Sequence, residues 1–128
     1  MSETTMTTPG NAGWIGHSSP DSGRAQAFYT DVIGWTITEV PMQDGSSHPC
    51  IMVNEAPIGG FSKMPEDTGA WTVFFTVEDV DARCAAATKA GAQILTGPVD
   101  MPGVGRMATL TDPQGARFAM ITYESMQS

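Results

Sequence analysis

Basic side chains are scarce in this sequence: six Lys and Arg stand against fourteen Asp and Glu, a formal net charge of −8. A nucleic-acid partner is therefore not expected, because no Lys/Arg stripe is present to neutralise phosphates. An anionic membrane surface is disfavoured for the same reason. The surplus of acid suits solubility first, and steering of a cationic ligand second. Cysteine is just as sparse. Cys50 and Cys84 form no C-x-x-C pair, so they read as two small buried apolar residues in a reducing cytoplasm rather than a disulfide framework. No apolar run is long enough to span a bilayer. The opening MSETTMTTPGN has neither the positive nor the apolar region of a signal peptide, and residues 1–11 are expected to form a flexible tail. Also missing are a G-x-S-x-G elbow, a P-loop and a G-x-G-x-x-G after a strand.

What is plentiful is turn chemistry. Fourteen Gly and nine Pro in a chain that is 41% hydrophobic point to a β-rich globular domain. Its size suffices to bury roughly two-thirds of the unfolded surface. Strands are expected at Trp14 to Ser19, Trp35 to Val40, Pro49 to Val53 and Ile58 to Lys63, then at Trp71 to Val77, Ala92 to Leu95, Arg106 to Thr111 and Ala116 to Tyr123. Asp21 or Ser22 can cap a helix over 22–33 that groups Ala25, Phe28, Tyr29, Val32 and Ile33, and Gly34 ends it. A second helix starts at Asp79 or Asp81, with Val80, Cys84, Ala87 and Ala90 on one side and Gly91 closing it. Asp44-Gly45 marks a hairpin turn, residues 97–105 a loop, and Asp112-Pro113-Gln114-Gly115 a tight turn.

The two halves repeat. Trp14 precedes Asp21 by seven residues, and Thr72 precedes Asp79 by seven; the closing glycines follow thirteen and twelve residues later. Two tandem βαβββ modules, 12–64 and 71–124, joined by a polar linker at 65–70, are the expected α+β architecture. Neither half buries much alone, so a single domain over 12–124 follows from packing them together.

Asp21 through Phe28-Tyr29 to Gly34-Trp35, then Gly59-Gly60, Trp71 to Asp81, and Gly105-Arg106 through Asp112-Pro113-Gln114-Gly115 together resemble the vicinal oxygen chelate superfamily. That superfamily includes glyoxalase I, bleomycin-resistance proteins and extradiol dioxygenases. The resemblance implies a mixed sheet cupped into a half-barrel around a cavity, a small-molecule ligand and a homodimer. In metal-dependent members the first and last strand of each module supply His, Gln and Glu ligands. Those positions fall here on Trp14, on Gly60 or Phe61, on Thr72 and on Ala119. Such a set cannot hold a catalytic divalent ion, which needs convergent nitrogen and oxygen donors. No metal and no cofactor is therefore expected, with a divalent metal as the alternative.

Strand alternation places Trp14, Gly16 and Ser18 toward the cavity, with Thr72, Phe74 and Thr76, and with Arg117 and Ala119. Such a largely apolar set with a few hydroxyls suits a ligand pocket, although Trp14 and Phe74 could equally fill the cup as core. Arg117 is either a surface charge beside its turn or an inward cation that would favour a carboxylate or enolate. His17 falls on the opposite face, toward the helices. His48, beside the hairpin tip, reads as a solvated loop residue, and Tyr29 as core. Three functions stay open: an enzyme of the lyase or isomerase kind, a binding protein that sequesters an antibiotic or metabolite as bleomycin-resistance proteins do, and an interaction module with a filled cavity.

Overall fold

A computed structural model describes residues 6–42, 45–63 and 69–124. Within these ranges each half of the chain runs strand, helix, then three strands. The first half comprises β1 (Ala12–Ser19), α1 (Ser22–Ile33), β2 (Thr36–Pro41), β3 (Ser47–Val53) and β4 (Ala56–Lys63). The second comprises β5 (Ala70–Thr76), α2 (Val80–Lys89), β6 (Gln93–Met101), β7 (Gly105–Thr111) and β8 (Arg117–Tyr123). All eight strands form one cupped mixed sheet in the order β2-β3-β4-β1-β5-β8-β7-β6. Within each module the first strand runs parallel to the last, β1 beside β4 and β5 beside β8. The modules join through the antiparallel pair β1 and β5, so the sheet is continuous across the repeat.

The local signals explain the element ends. Asp21 caps α1 by accepting the Arg24 backbone N–H at 3.0 Å. Gly34 closes the helix in the left-handed region, with φ +85°. Asp79, not Asp81, caps α2, accepting the Ala82 N–H at 3.2 Å. That helix has Ala90 as its C-cap, and Gly91 closes it as expected, in the left-handed region with φ +102°. Asp112 holds the last turn, its Oδ1 accepting the backbone N–H groups of Gln114 and Ala116, both at 2.9 Å.

Three expectations need correction. β3 begins at Ser47 rather than Pro49, which draws His48 out of the loop and into the sheet. β6 runs to Met101 and absorbs much of the loop expected at 97–105; its ladder with β7 slips around Gly97-Pro98, which is why alternation there looked broken. Residues 6–11 of the expected tail are tied down. The Gly10 N–H donates to the Thr76 carbonyl at 2.7 Å, the Thr76 N–H to the Asn11 carbonyl at 2.9 Å, and the Thr76 hydroxyl to the Met6 carbonyl. Residues 1–5, 65–68 of the expected linker, and Gln43 and Asp44 of the expected hairpin turn lie outside the described residues.

Both helices cover the same, outer face of the sheet. Under α2 lies an aliphatic core of Val80, Cys84, Ala108, Leu110 and Met120. Under α1 lies an aromatic cluster: Trp71 donates its indole N–H to the Tyr29 hydroxyl at 3.0 Å, and His17 sits 4.9 Å from Trp71 and 5.4 Å from Phe61, ring centre to ring centre. His17 thus faces the helix as expected, and Tyr29 packs against the sheet. Helix α1 buries none of its residues fully. Phe28, Val32 and Ile33 are 56%, 62% and 52% exposed, because Ser22, Ala25, Gln26 and Tyr29 form the sheet-facing side instead. No helix of the described residues is long and apolar enough to cross a membrane.

Candidate functional site

The inner face of the sheet is built from alternate residues of its central strands. Cross-strand pairing sets Trp14 beside Phe74, Phe74 beside Ala119, and Ala119 beside Thr109. One step along, Gly16 lies beside both Thr72 and Gly60, and Gly60 beside Cys50. Trp14, Gly16, Thr72, Phe74 and Ala119 therefore share one continuous floor. Ser18 lies beside Ala70, next to Ser62, toward the end of the same strand. Thr76 is held at the other end by Met6. Arg117 opens β8 on the rim and is exposed.

The register also decides which residue matches Ala119 in the first module. Trp14 and Thr72 stand seven residues before the two capping aspartates; two residues on, Gly16 pairs with Gly60 while Phe74 pairs with Ala119. The counterpart is Gly60. Phe61 points outward, its ring 6.1 Å from that of Tyr29 on α1.

Two rings roof neighbouring glycines on this floor. A Cβ on Gly16 would lie 3.0 Å from Cε1 of Phe74. A Cβ on Gly60 would lie 2.6 Å from Nε2 of His48, so the imidazole occupies the very space that a side chain at residue 60 would need. His48 is consequently not the solvated loop residue its neighbourhood suggested. It is half-buried, and burial pushes its imidazole below the ordinary 6.5, with Glu39 pulling the other way. Burial thus favours the uncharged ring. The signal that could have found it is the period of two running His48, Cys50, Met52; Pro49 masked it by looking like a strand start.

A cavity of about 310 Å³ opens beside His48, lined by Met42, Ser46, Ser47 and His48 from the first module and Asp100, Met101 and Pro102 from the second. Asp100 is engaged by Arg106, whose Nη1 donates to its Oδ1 at 3.1 Å. A larger hollow of about 410 Å³ lies on the outer face between the end of β1 and the first turns of α1, and it is wide open to solvent. The two thiols, Cys50 on the inner face and Cys84 under α2, are unpaired, and burial pushes both above their ordinary value. Tyr123 ends the inner row of β8. Burial pushes its phenol up to about 12, so it keeps its proton throughout the physiological range.

The fold implies a divalent metal, and the residues at the four ligand positions do not fit one. Trp14, Gly60, Thr72 and Ala119 offer a single hydroxyl between them. Among the described residues no group of three or more His, Cys, Asp and Glu is placed to hold a metal ion.

Two βαβββ modules sharing one cupped sheet, with an apolar inner floor, define a class of small paired-module folds. Residues 12–120 match the model of the Glyoxalase/Bleomycin resistance protein/Dioxygenase superfamily, and the chain belongs to that family. It is 39% identical over 99 residues to CFP32 of Mycobacterium tuberculosis, whose name assigns it provisionally as a glyoxylase; the match covers 76% of this chain and 38% of that one. It is 30% identical over 132 aligned positions to the anthracycline biosynthesis protein DnrV of Streptomyces peucetius, covering 91% of this chain and 48% of DnrV. The chain thus spans half or less of these relatives. In fold it is similar to a methylmalonyl-CoA epimerase bound to methylmalonyl-CoA, with a TM-score of 0.60, 18% identity, and coverage of 88% and 94% of the two chains. The epimerase of Mycobacterium tuberculosis gives a TM-score of 0.58 at 16% identity, covering 96% and 93%.

Proposed function

We propose that this chain binds a flat, largely apolar organic molecule on the inner face of its sheet, without a metal ion. The observation that carries this reading is the floor itself: a family fold whose four ligand positions have become Trp14, Gly60, Thr72 and Ala119, with the Phe74 and His48 rings laid over two glycines. Indole and phenyl rings on a shallow apolar surface favour stacking with a planar partner. The likeness to a protein of anthracycline biosynthesis supports a polycyclic ligand. Sequestration of such a molecule, as in bleomycin-resistance proteins, needs no group beyond these. A lyase or isomerase reaction would need a proton acceptor in the cup, and His48 is the side chain that makes this second reading tenable.

A second copy of the chain is the proposed partner. Phe28, Val32 and Ile33 leave apolar surface on α1 for a second copy to cover. A cytoplasmic setting suits the two unpaired thiols.

The deciding experiment combines two measurements. Amide shifts in a ¹H–¹⁵N spectrum are followed while 2-methoxynaphthalene is added, and metal content is measured after incubation with zinc, nickel and manganese salts followed by dialysis. We expect shifts at Gly16, Gly60 and Phe74 but not along α2, and substoichiometric metal. Stoichiometric metal that is lost with Thr72→Val would overturn the metal-free reading, and unshifted inner-face amides would overturn the binding one.

A further inference from the structure

A glycine at residue 60 leaves a gap in the row of side chains on the inner face, and a ring from the next strand fills it. We propose that His48, reaching over Gly60 from β3, is a proton-accepting group of the cup, and that it receives the hydroxyl of a neutral phenolic or enolic ligand. This rests on the small-molecule reading above and names the polar end of that ligand.

Geometry supplies the first reason. Gly60 and Gly16 are cross-strand neighbours, so the His48 and Phe74 rings lie over adjacent backbone positions. A planar ligand resting on Phe74 has its edge toward the imidazole. The 310 Å³ cavity beside His48 gives that edge room and a route to solvent.

Charge supplies the second reason. Cys50 lies on the inner face beside His48, and Asp100, held by Arg106, lies across the cavity. Glu39 of β2, paired with Pro49 and so on the other side of the sheet, acts on the imidazole through its charge. The lining residues include no Lys or Arg. The carboxylates around the cavity disfavour an anionic ligand, because the nearby cation, Arg106, is already engaged by Asp81 and Asp100. A neutral imidazole carries one ring nitrogen with a free lone pair, so it accepts a hydrogen bond from an O–H. If the proton transfers, the ligand O–H bond breaks, an imidazole N–H bond forms, and the oxygen keeps the electron pair. In the second module the matching positions are Met107 and Ala119, neither of which carries an imidazole or carboxylate.

The test compares 2-naphthol with 2-methoxynaphthalene, which have the same ring system but differ in the O–H, by calorimetry at pH 7.5. Wild-type protein should prefer the naphthol by about tenfold, the scale of one well-made hydrogen bond. His48→Phe should bind the two probes equally, the preference being lost whatever the variant's absolute affinity for either. A second readout needs no variant: acidifying the wild-type protein through the titration of His48 should erase the preference, because imidazolium cannot accept, while ether binding stays constant. A preference that survives His48→Phe or acidification overturns the proposal. Equal binding of the two probes by wild-type protein overturns it too and leaves the cup reading intact, whereas binding of neither overturns both.

Discussion

The two modules follow the same path and fill it with opposite chemistry. Beneath α2 the fully buried contacts are without rings, Leu110 and Ala108 packing against Val80, and Phe118 closes their edge. Beneath α1 the contacts are aromatic and polar, with a Tyr–Trp hydrogen bond, an enclosed histidine and a helix that buries no residue fully. The inner face repeats the contrast: the second module sets Met107 and Ala119 where the first sets His48 and Gly60. Duplication fixes the frame, and each copy is then free to specialise. The second module carries the closed core under its helix; the first carries the aromatic and imidazole groups.

If that division holds, Leu110→Ala should give the largest stability loss. Leu110 is 0% exposed and sits between α2 and the sheet, so truncation removes buried methyl groups and leaves a void. We expect a loss of about 2–5 kcal/mol, read from the urea midpoint. A loss below about 1 kcal/mol would mean that the aliphatic core is not the mainstay and that the contrast between modules fails.

Much of this frame was legible in residue order. Seven-residue spacings from Trp14 and Thr72 to the capping aspartates identified the repeat, and both caps act as their side-chain chemistry requires. Alternation put Trp14, Gly16, Thr72, Phe74 and Ala119 on one face because the central strands lack bulges over those residues. It gave less where ladders slip: β6 looked like a loop because Gly97-Pro98 interrupts its period. It could not separate Gly60 from Phe61, since that choice depends on a cross-strand register fixed only by pairing with Gly16. His48 was missed because its environment comes from β4, twelve residues on, and not from its polar neighbours. The expected apolar face of α1 also failed: the helix turns Ser22, Ala25, Gln26 and Tyr29 toward the sheet and leaves Phe28, Val32 and Ile33 exposed.

Gly60→Ala tests the inner-face contrast by making the first module resemble the second. The added Cβ would stand 2.6 Å from the imidazole Nε2, so His48 must leave its place. Overpacking of this kind costs about 1–3 kcal/mol. It also changes the pH profile. The folded wild-type His48 titrates below 6.5, so above 6.5 both folded and unfolded chains hold it neutral. As the pH falls below 6.5 the unfolded chain takes the proton first, and wild-type stability declines until the folded value is reached. Ejected into solvent, the imidazole returns toward 6.5 and that decline should shrink. A ¹H titration of the His48 ring that is identical in wild type and variant would show that the ring never occupied the gap.

Tyr29→Phe should give the smallest of the three effects and probes the outer face of the first module. The substitution removes only the oxygen that accepts the Trp71 indole N–H at 3.0 Å; the ring remains, 5.1 Å from Trp71 and 5.5 Å from His17. A half-buried donor then loses its partner, at a cost of about 0.5–1.5 kcal/mol. The buried cluster under α2 contains no ring: it is Val80, Cys84, Ala108, Leu110 and Met120, with Phe118 partly buried against it. If α1 is held mainly by ring packing, stability should fall within that range while the tryptophan emission shifts, because the Trp71 N–H exchanges a phenol for solvent. A loss as large as that of Leu110→Ala would instead make this single hydrogen bond the clasp of α1, and would undo the contrast between the modules.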